Sequence, residues 1–288
     1  MLRIALPNKG RLSDEARELF EDAGLGVRTG SPRALMASLG GEFEALFVRA
    51  QDIPEFVADG AADVGVTGLD LVRESGRALD SLLDLGFGRC RLVLAAREES
   101  GIASLAAIAD GMRVATSFPR LTAAFLAEHG VSAEVVPVSG AAEIAPHLGI
   151  ADVVVDLTST GSTLRVNGLH ELETLLVSTA QLVARPGLAG GDDARARSAE
   201  ELCMALASVL RARGQRYVMA NVPRAALDRV RAVLPGLNGP TVTEVLDGGR
   251  FVAVHAVVPA EALHRTTADL KRLGAEGILV TRIERLLP

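Results

Sequence analysis

The stretch "ADVVVDLTSTGSTL", Ala151 to Leu164, decides how the rest of the chain is read. It opens with an apolar, β-branched run and reaches an acid at Asp156. Past Leu157 it holds only Thr, Ser and Gly until Leu164. A short β-branched run bounded by turn residues reads as a buried strand. A strand end, a Gly-bearing hydroxyl loop and a helix start form one α/β unit. Backbone N–H groups converge at such a helix start, where the dipole favours negative charge. Hydroxyls add donors, and Gly161 lets the backbone approach closely. The loop therefore suits a phosphate. It is not a Walker A loop, because no Gly-Lys-Ser/Thr follows. Asp156 would repel a phosphate, so it should face hydroxyls, and a ribose diol is the natural candidate. Together, acid and loop describe a ribose 5-phosphate cradle. The plainer alternative is a turn capped by Ser159 or Thr160.

The same alternation runs outward from this stretch. "LRIAL" (2–6), "ALFVRA" (45–50), "DVGVTG" (63–68), "RLVLAA" (91–96), "MRVATS" (112–117), "AEVVPV" (133–138) and "DVVVDL" (152–157) read as strands. Helical patterns lie at 12–23, 54–60, 119–130 and 140–149, with Ser13 and Asp14 suited to the first N-terminus. The expected class is α/β with mostly parallel sheets. Gly and Pro break the pattern within 184–202, and a helix then runs to about Arg213. Beyond it, "RYVMANVP", "TVTEVLD", "FVAVHAVVP" and "GILVTRIERLL" read as strands, with helices at 224–235 and after Pro259. Gly248–Gly249 signals a hairpin between the middle two strands. That order is the ferredoxin-like βαββαβ pattern.

At 288 residues the chain exceeds one typical domain. Aromatics make up 3%, with no Trp and only Tyr217 as tyrosine, so the cores must be Leu, Val, Ile and Ala. A net charge of −6 with mixed signs argues against a nucleic-acid partner but not against small anionic ligands. Cys90 and Cys203 stand far apart, which fits a reducing compartment. "MLRIALPNKG" has no apolar signal core, and no run reaches transmembrane length. A cytoplasmic protein without a membrane partner is expected.

The segment "EIAPHLGIADVVVDLTSTGSTL" resembles the signature of the ATP phosphoribosyltransferase family. The match runs through Glu143, Gly149, Ala151, Val154, Asp156, Leu157, Ser159, Gly161, Thr163 and Leu164. "LPNKGRL" (6–12), "DVGVTGLDLV" (63–72), "LGFGRCRL" (85–92) and "RVATSFPRL" (113–121) match in order. The C-terminal region resembles the regulatory domain of the family's long form. The resemblance implies a two-lobed, periplasmic-binding-protein-like catalytic core and an ACT-like regulatory domain. Lobe I would span 1–92 and 180–212, lobe II 93–179, and the regulatory domain 213–288. It also implies transfer of the phosphoribosyl group of 5-phosphoribosyl pyrophosphate (PRPP) to N1 of the adenine of ATP. That is the first step of histidine biosynthesis.

The roles implied by resemblance follow the motifs. Ser159, Thr160, Gly161, Ser162 and Thr163 would bind the 5′-phosphate. Asp156, with Glu143 as a second candidate, would hold the ribose hydroxyls; a solvated helix acid is the alternative for Glu143. Lys9, Arg11 and Arg49 would meet the phosphates of ATP or the leaving pyrophosphate, although a solvated basic loop also fits Lys9 and Arg11. Gly68 and Asp70 would line the nucleotide pocket, and an N-cap explains Asp70 equally well. Family members often carry a basic residue soon after Arg49, but Gln51 stands here, so that contact is not carried over. Mg²⁺ would arrive on the substrate. His129, His147, His170, His255 and His264 lack metal-ligand spacing, so no protein-held metal is expected. The long form binds L-histidine as inhibitor and forms a homohexamer. By the same resemblance Asn221, Thr241, Gly274 and Ala275 occupy ligand positions. The competing reading is a non-catalytic solute- or effector-binding protein on the same fold, and a third is a catalytically dead paralogue.

Overall fold

Five of the six residues of β1 (Leu2–Pro7) are buried, all but Arg3. A strand hidden on both faces belongs in the middle of a sheet covered on both sides, and the computed structural model places it there. It describes residues 1–28, 34–246 and 248–287. The chain divides into two units, Met1–Cys203 and Met204–Pro288.

In the first unit, α1 (Arg11–Asp22), β2 (Val27–Arg28), β3 (Met36–Leu39), β4 (Phe43–Val48), α2 (Ile53–Ala58), β5 (Val64–Gly68), α3 (Leu69–Ser75) and β6 (Asp80–Asp84) follow β1. The chain then enters a second sheet through β7 (Cys90–Arg97), β8 (Arg113–Thr116), α4 (Pro119–Glu128), β9 (Glu134–Pro137), β10 (Val153–Thr158), α5 (Ser162–Val166) and β11 (Leu169–Ser178). It returns through β12 (Ala180–Ala184) and continues into α6 (Ala194–Ala212). The strand orders are β2-β3-β4-β1-β5-β12-β6 and β11-β7-β10-β8-β9. Two lobes joined by two crossings result.

The sheets are mixed, which corrects the expectation of mostly parallel pairing. β1 lies parallel to β4 and β5, and β8 parallel to β9 and β10. The strands that enter each lobe from the other, β7 and β12, pair antiparallel on both sides. A chain crossing directly from one sheet to the next has no helix in which to reverse direction, so it enters antiparallel. The first crossing also falls earlier than position 92: Cys90 and Arg91 already pair with Ser178 and Val177 in the second sheet.

Residues 140–149, expected to be helical, form only a single tight turn at Ala142–Ile144. Pro146 removes a donor, and Gly140 and Gly149 take positive φ, so no α-helix propagates. Ser13 is not the start of α1; Gly10 precedes the helix and Ser13 is buried within it. Leu92, Leu94, Val153 and Val155 are fully buried or nearly so on one face of the second sheet. Each such side chain contributes roughly 1.5–3 kcal/mol.

The second unit holds β13 (Gln215–Pro223), α7 (Leu227–Val233), β14 (Thr241–Glu244), β15 (Phe251–Pro259), α8 (Leu263–Arg272) and β16 (Glu276–Arg282). Its antiparallel sheet runs β14-β15-β13-β16, the expected ferredoxin-like order. Val218, Ala220, Val222, Val252, Val254 and Val258 alternate onto one face and pack with Val230 and Leu270. Gly248 and Gly249 both take positive φ between β14 and β15. Asp247, read as the end of a strand, lies outside the described residues.

Candidate active site

β10 carries the lobe II half of the site. Its β-branched run is buried through Val155, and Asp156 emerges half-buried at its end. Burial pushes the Asp156 carboxyl up from the ordinary carboxylate range. The Leu157 N–H, 2.7 Å from Oδ1, opposes that shift, and the neighbouring Glu143 carboxyl adds to it. Glu143 is delivered by the tight turn after Ala141, whose φ of 51° is the left-handed conformation an L-residue avoids. Strain of this kind persists where the surroundings enforce it. Two carboxyls are thereby brought together, one of them held partly out of water.

The loop follows at once. The Gly161 N–H donates to the Thr158 hydroxyl at 2.8 Å, and the Thr160 and Ser162 hydroxyls lie 2.9 Å apart. Of the two expected caps, Thr160 accepts the Ser162 N–H at 3.4 Å, while the shorter closing bond is made by Thr158. Gly161, at φ 73°, precedes α5, whose first-turn N–H groups have no carbonyl one turn back. Ser159, Thr160, Ser162 and Thr163 are exposed around it.

The lobe I half lies at the C-terminal ends of β4, β1 and β5, which run parallel side by side. Such strand ends are where α/β sheets bind ligands. Lys9 is exposed in the loop after β1, and Arg49 is exposed just past β4. The Asn8 N–H donates to the Val48 carbonyl at 2.8 Å, tying the two loops together. Arg11 pairs with Glu15 at 3.0 Å on exposed helix surface. Gly68 ends β5, and Asp70 follows in the first turn of α3. Asp70 is buried; the Ser178 hydroxyl donates to its Oδ1 at 2.5 Å, and its own N–H donates back to Ser178 Oγ at 3.1 Å. One face of Asp70 is therefore committed to the second crossing. Burial and the Asp70 charge push the adjoining Cys90 thiol up.

A contact between the lobes lies beside this crossing. The Glu74 carboxylate, on α3, accepts N–H bonds from Arg120 and Leu121 of α4, each at 2.9 Å. It caps the helix from the opposite lobe. Replacing Glu74 by Ala is expected to lower unfolding stability by about 1–2 kcal/mol, the usual scale for a lost charged cap. Chemical denaturation measures this, and a change below about 0.3 kcal/mol would show that the cap does not hold the lobes.

Residues 49–208 match the family model for ATP phosphoribosyltransferase, and 212–285 match the model for its C-terminal domain. The chain belongs to the ATP phosphoribosyltransferase family. An ATP phosphoribosyltransferase from Gemmatimonas aurantiaca is 70% identical, with 100% of both chains covered. One from Natronomonas pharaonis is 50% identical over the same share of each chain. Among solved structures, the ATP phosphoribosyl transferase (HisG:HisZ) complex from Thermotoga maritima superposes with a TM-score of 0.64 at 27% identity. That match covers 73% of this chain and 99% of the Thermotoga chain. Together with the C-terminal match, this makes the present chain a long-form member of the family. The enzyme expected from the sequence is thereby borne out as a pentosyltransferase, and the alternative of a non-catalytic solute binder gives way.

Several site-building residues of this family member were not legible beforehand. Ser178 and Glu74 work through partners far away in sequence, whereas Thr158 closes its own loop onto Gly161. Arg91, within the quoted "LGFGRCRL", bonds Glu171 twice, at 2.7 and 2.9 Å. In the second unit, Asn221 pairs with Glu276, and Gly274 turns at φ 85° before the buried Ala275. These three positions cluster. Thr241 stands apart on β14, opposite His255 and separated from β16 by two intervening strands.

Proposed function

We propose that the two halves of the site act on PRPP and ATP as follows. The Asp156–Glu143 pair accepts hydrogen bonds from the ribose hydroxyls of PRPP. Amides and hydroxyls of Ser159, Thr160, Gly161, Ser162 and Thr163 hold its 5′-phosphate. Lys9, Arg11 and Arg49 offset the charge that develops on the departing pyrophosphate. Mg²⁺ enters with that pyrophosphate as part of the substrate and neutralises it further. The C1′–oxygen bond breaks, and the N1 lone pair of adenine forms the new C1′–N bond. N1 needs no deprotonation to attack, so positioning and charge stabilisation carry the rate. Gly68 and Asp70 border the adenine. The observation that carries this reading is the Asp156 carboxyl near the end of β10, paired with Glu143 from the Ala142–Ile144 turn and followed at once by the exposed hydroxyls of Ser159, Thr160, Ser162 and Thr163.

The second unit senses L-histidine through Asn221, Thr241, Gly274 and Ala275, and the chain assembles as a homohexamer. Inhibition requires histidine to prefer one of two conformations of the assembly. No helix among the described residues is long and apolar enough to cross a membrane, and the reducing cytoplasm suits the free thiols Cys90 and Cys203.

Pyrophosphate release tests this directly. With Mg²⁺ it should need both ATP and PRPP, and fall as L-histidine is added. Release without ATP would remove the transfer step, and activity indifferent to histidine would remove the sensor. Mass photometry should show six copies; any smaller stable assembly would overturn the hexamer.

A further inference from the structure

A carboxylate stands where the proposed phosphate loop should least tolerate one. A Cβ built on Gly161 would lie 2.9 Å from Glu171 Oε1 and 2.9 Å from Arg165 Nη1. The loop's central residue is therefore packed between a negative and a positive side-chain end. Arg165 also donates to the Thr160 carbonyl at 3.2 Å, steadying the same turn. Glu171 would add a charge of the wrong sign beside a bound phosphate. Its partner is Arg91, which reaches along the sheet face. Arg91 Nη1 and Nη2 bond both oxygens of Glu171, and Nη1 lies 3.3 Å from the Thr174 hydroxyl. Arg91 pairs across the sheet with Thr158, the residue whose hydroxyl closes the loop. Directly opposed residues share a sheet face, so Arg91, Thr158 and the Glu171 contact form one continuous support. Both side chains are only about one-third exposed, 34% and 31%. A bidentate pair with that geometry neutralises a carboxylate more completely than a loose surface pair.

We infer that Arg91 and Glu171 are positioning residues for PRPP: Glu171 braces Gly161, and Arg91 cancels the Glu171 charge so that the loop still accepts an anion. This rests on the loop being the phosphate site. It makes a specific forecast, because the harm in losing Arg91 should come from the carboxylate left behind.

Arg91→Ala should raise KM for PRPP about tenfold, the scale of one unscreened like charge at close range, with kcat and KM for ATP changed far less. Arg91→Ala combined with Glu171→Gln should bring KM for PRPP back to within about threefold of the parent. Arg91→Lys keeps the charge and should stay near the parent even if the alanine variant folds poorly. A double variant as weak as Arg91→Ala would overturn the charge-balance role, as would a lysine variant as weak as alanine. If Asp156→Asn and Gly161→Val leave PRPP kinetics intact, the loop assignment itself falls. If those two impair PRPP use and Arg91→Ala does not, only the support is rejected.

Discussion

Replacing Asp156 by Asn is expected to lower kcat/KM for PRPP about 100-fold while leaving the free protein at least as stable as the parent at pH 7. The first effect is the loss of a charged acceptor for the ribose hydroxyls, a change of about 2–3 kcal/mol in transition-state stabilisation. The second follows from the raised carboxyl of Asp156, caused first by burial and then by Glu143. A group whose folded pKa lies above its unfolded value adds stability that is full below the unfolded value. That stability is lost as pH rises through the folded value. At pH 7 the ionised Asp156 therefore weighs against folding, and the neutral amide relieves it. Activity should run the opposite way in the parent: PRPP use falls as acidification protonates Asp156, and the Asn variant loses that acidic limb. Steady-state kinetics across pH and thermal unfolding of both proteins test this. Parental kcat/KM in the variant would take Asp156 out of the site. A marked loss of stability would mean that the carboxyl is structural.

What the residues disclosed in advance, and what they hid, divides along sequence distance. The strand at 153–158 was legible because consecutive Val residues need burial, and the loop after it because Gly, Ser and Thr have few other uses at a strand end. β11 was not, because its alternation is interrupted by irregularities between Glu171 and Glu173 and between Thr174 and Leu176. The carboxyl of Asp156 was legible, but its partnership with Glu143 depends on a strained turn at Ala141 that no local pattern announces. The supports of the site were hidden most completely. Glu74 and Arg120 are 46 residues apart, Arg91 and Glu171 80, and Asp70 and Ser178 108. Each of these residues reads locally as an ordinary helix or strand polar group. Only tertiary pairing brings them into contact: β7 against β11 for Arg91 and Glu171, and lobe against lobe for Glu74 and Arg120. The antiparallel entry of β7 and β12 was missed for the same reason, since strand direction is set by where the chain comes from.

Gly161→Val should raise KM for PRPP at least about tenfold and lower unfolding stability by about 1–2 kcal/mol. The left-handed conformation at φ 73° is the main cause. An L-residue there is penalised by roughly 1–2 kcal/mol, and a β-branched one is a genuine outlier. The new Cβ also meets Arg165 Nη1 and Glu171 Oε1 at 2.9 Å. Both are far ends of flexible side chains and can move, so the clash alone is the smaller effect. Movement has a consequence, however: Glu171 displaced from its place drags on the bidentate bond to Arg91, and Arg165 loses its hold on the Thr160 carbonyl. The backbone therefore either flips at residue 161, turning the first N–H groups of α5 away from the phosphate, or stays and stores the strain. The flip raises KM for PRPP and spares stability; the strain lowers stability and spares KM. A mixture of the two is expected, because neither path is closed. ATP affinity should change little in both cases, since its proposed contacts lie on the other lobe. KM for each substrate, measured beside denaturant unfolding, separates the paths. A variant that keeps parental PRPP kinetics while losing stability would show that the Gly161 amide and its neighbours hold the turn and not the substrate.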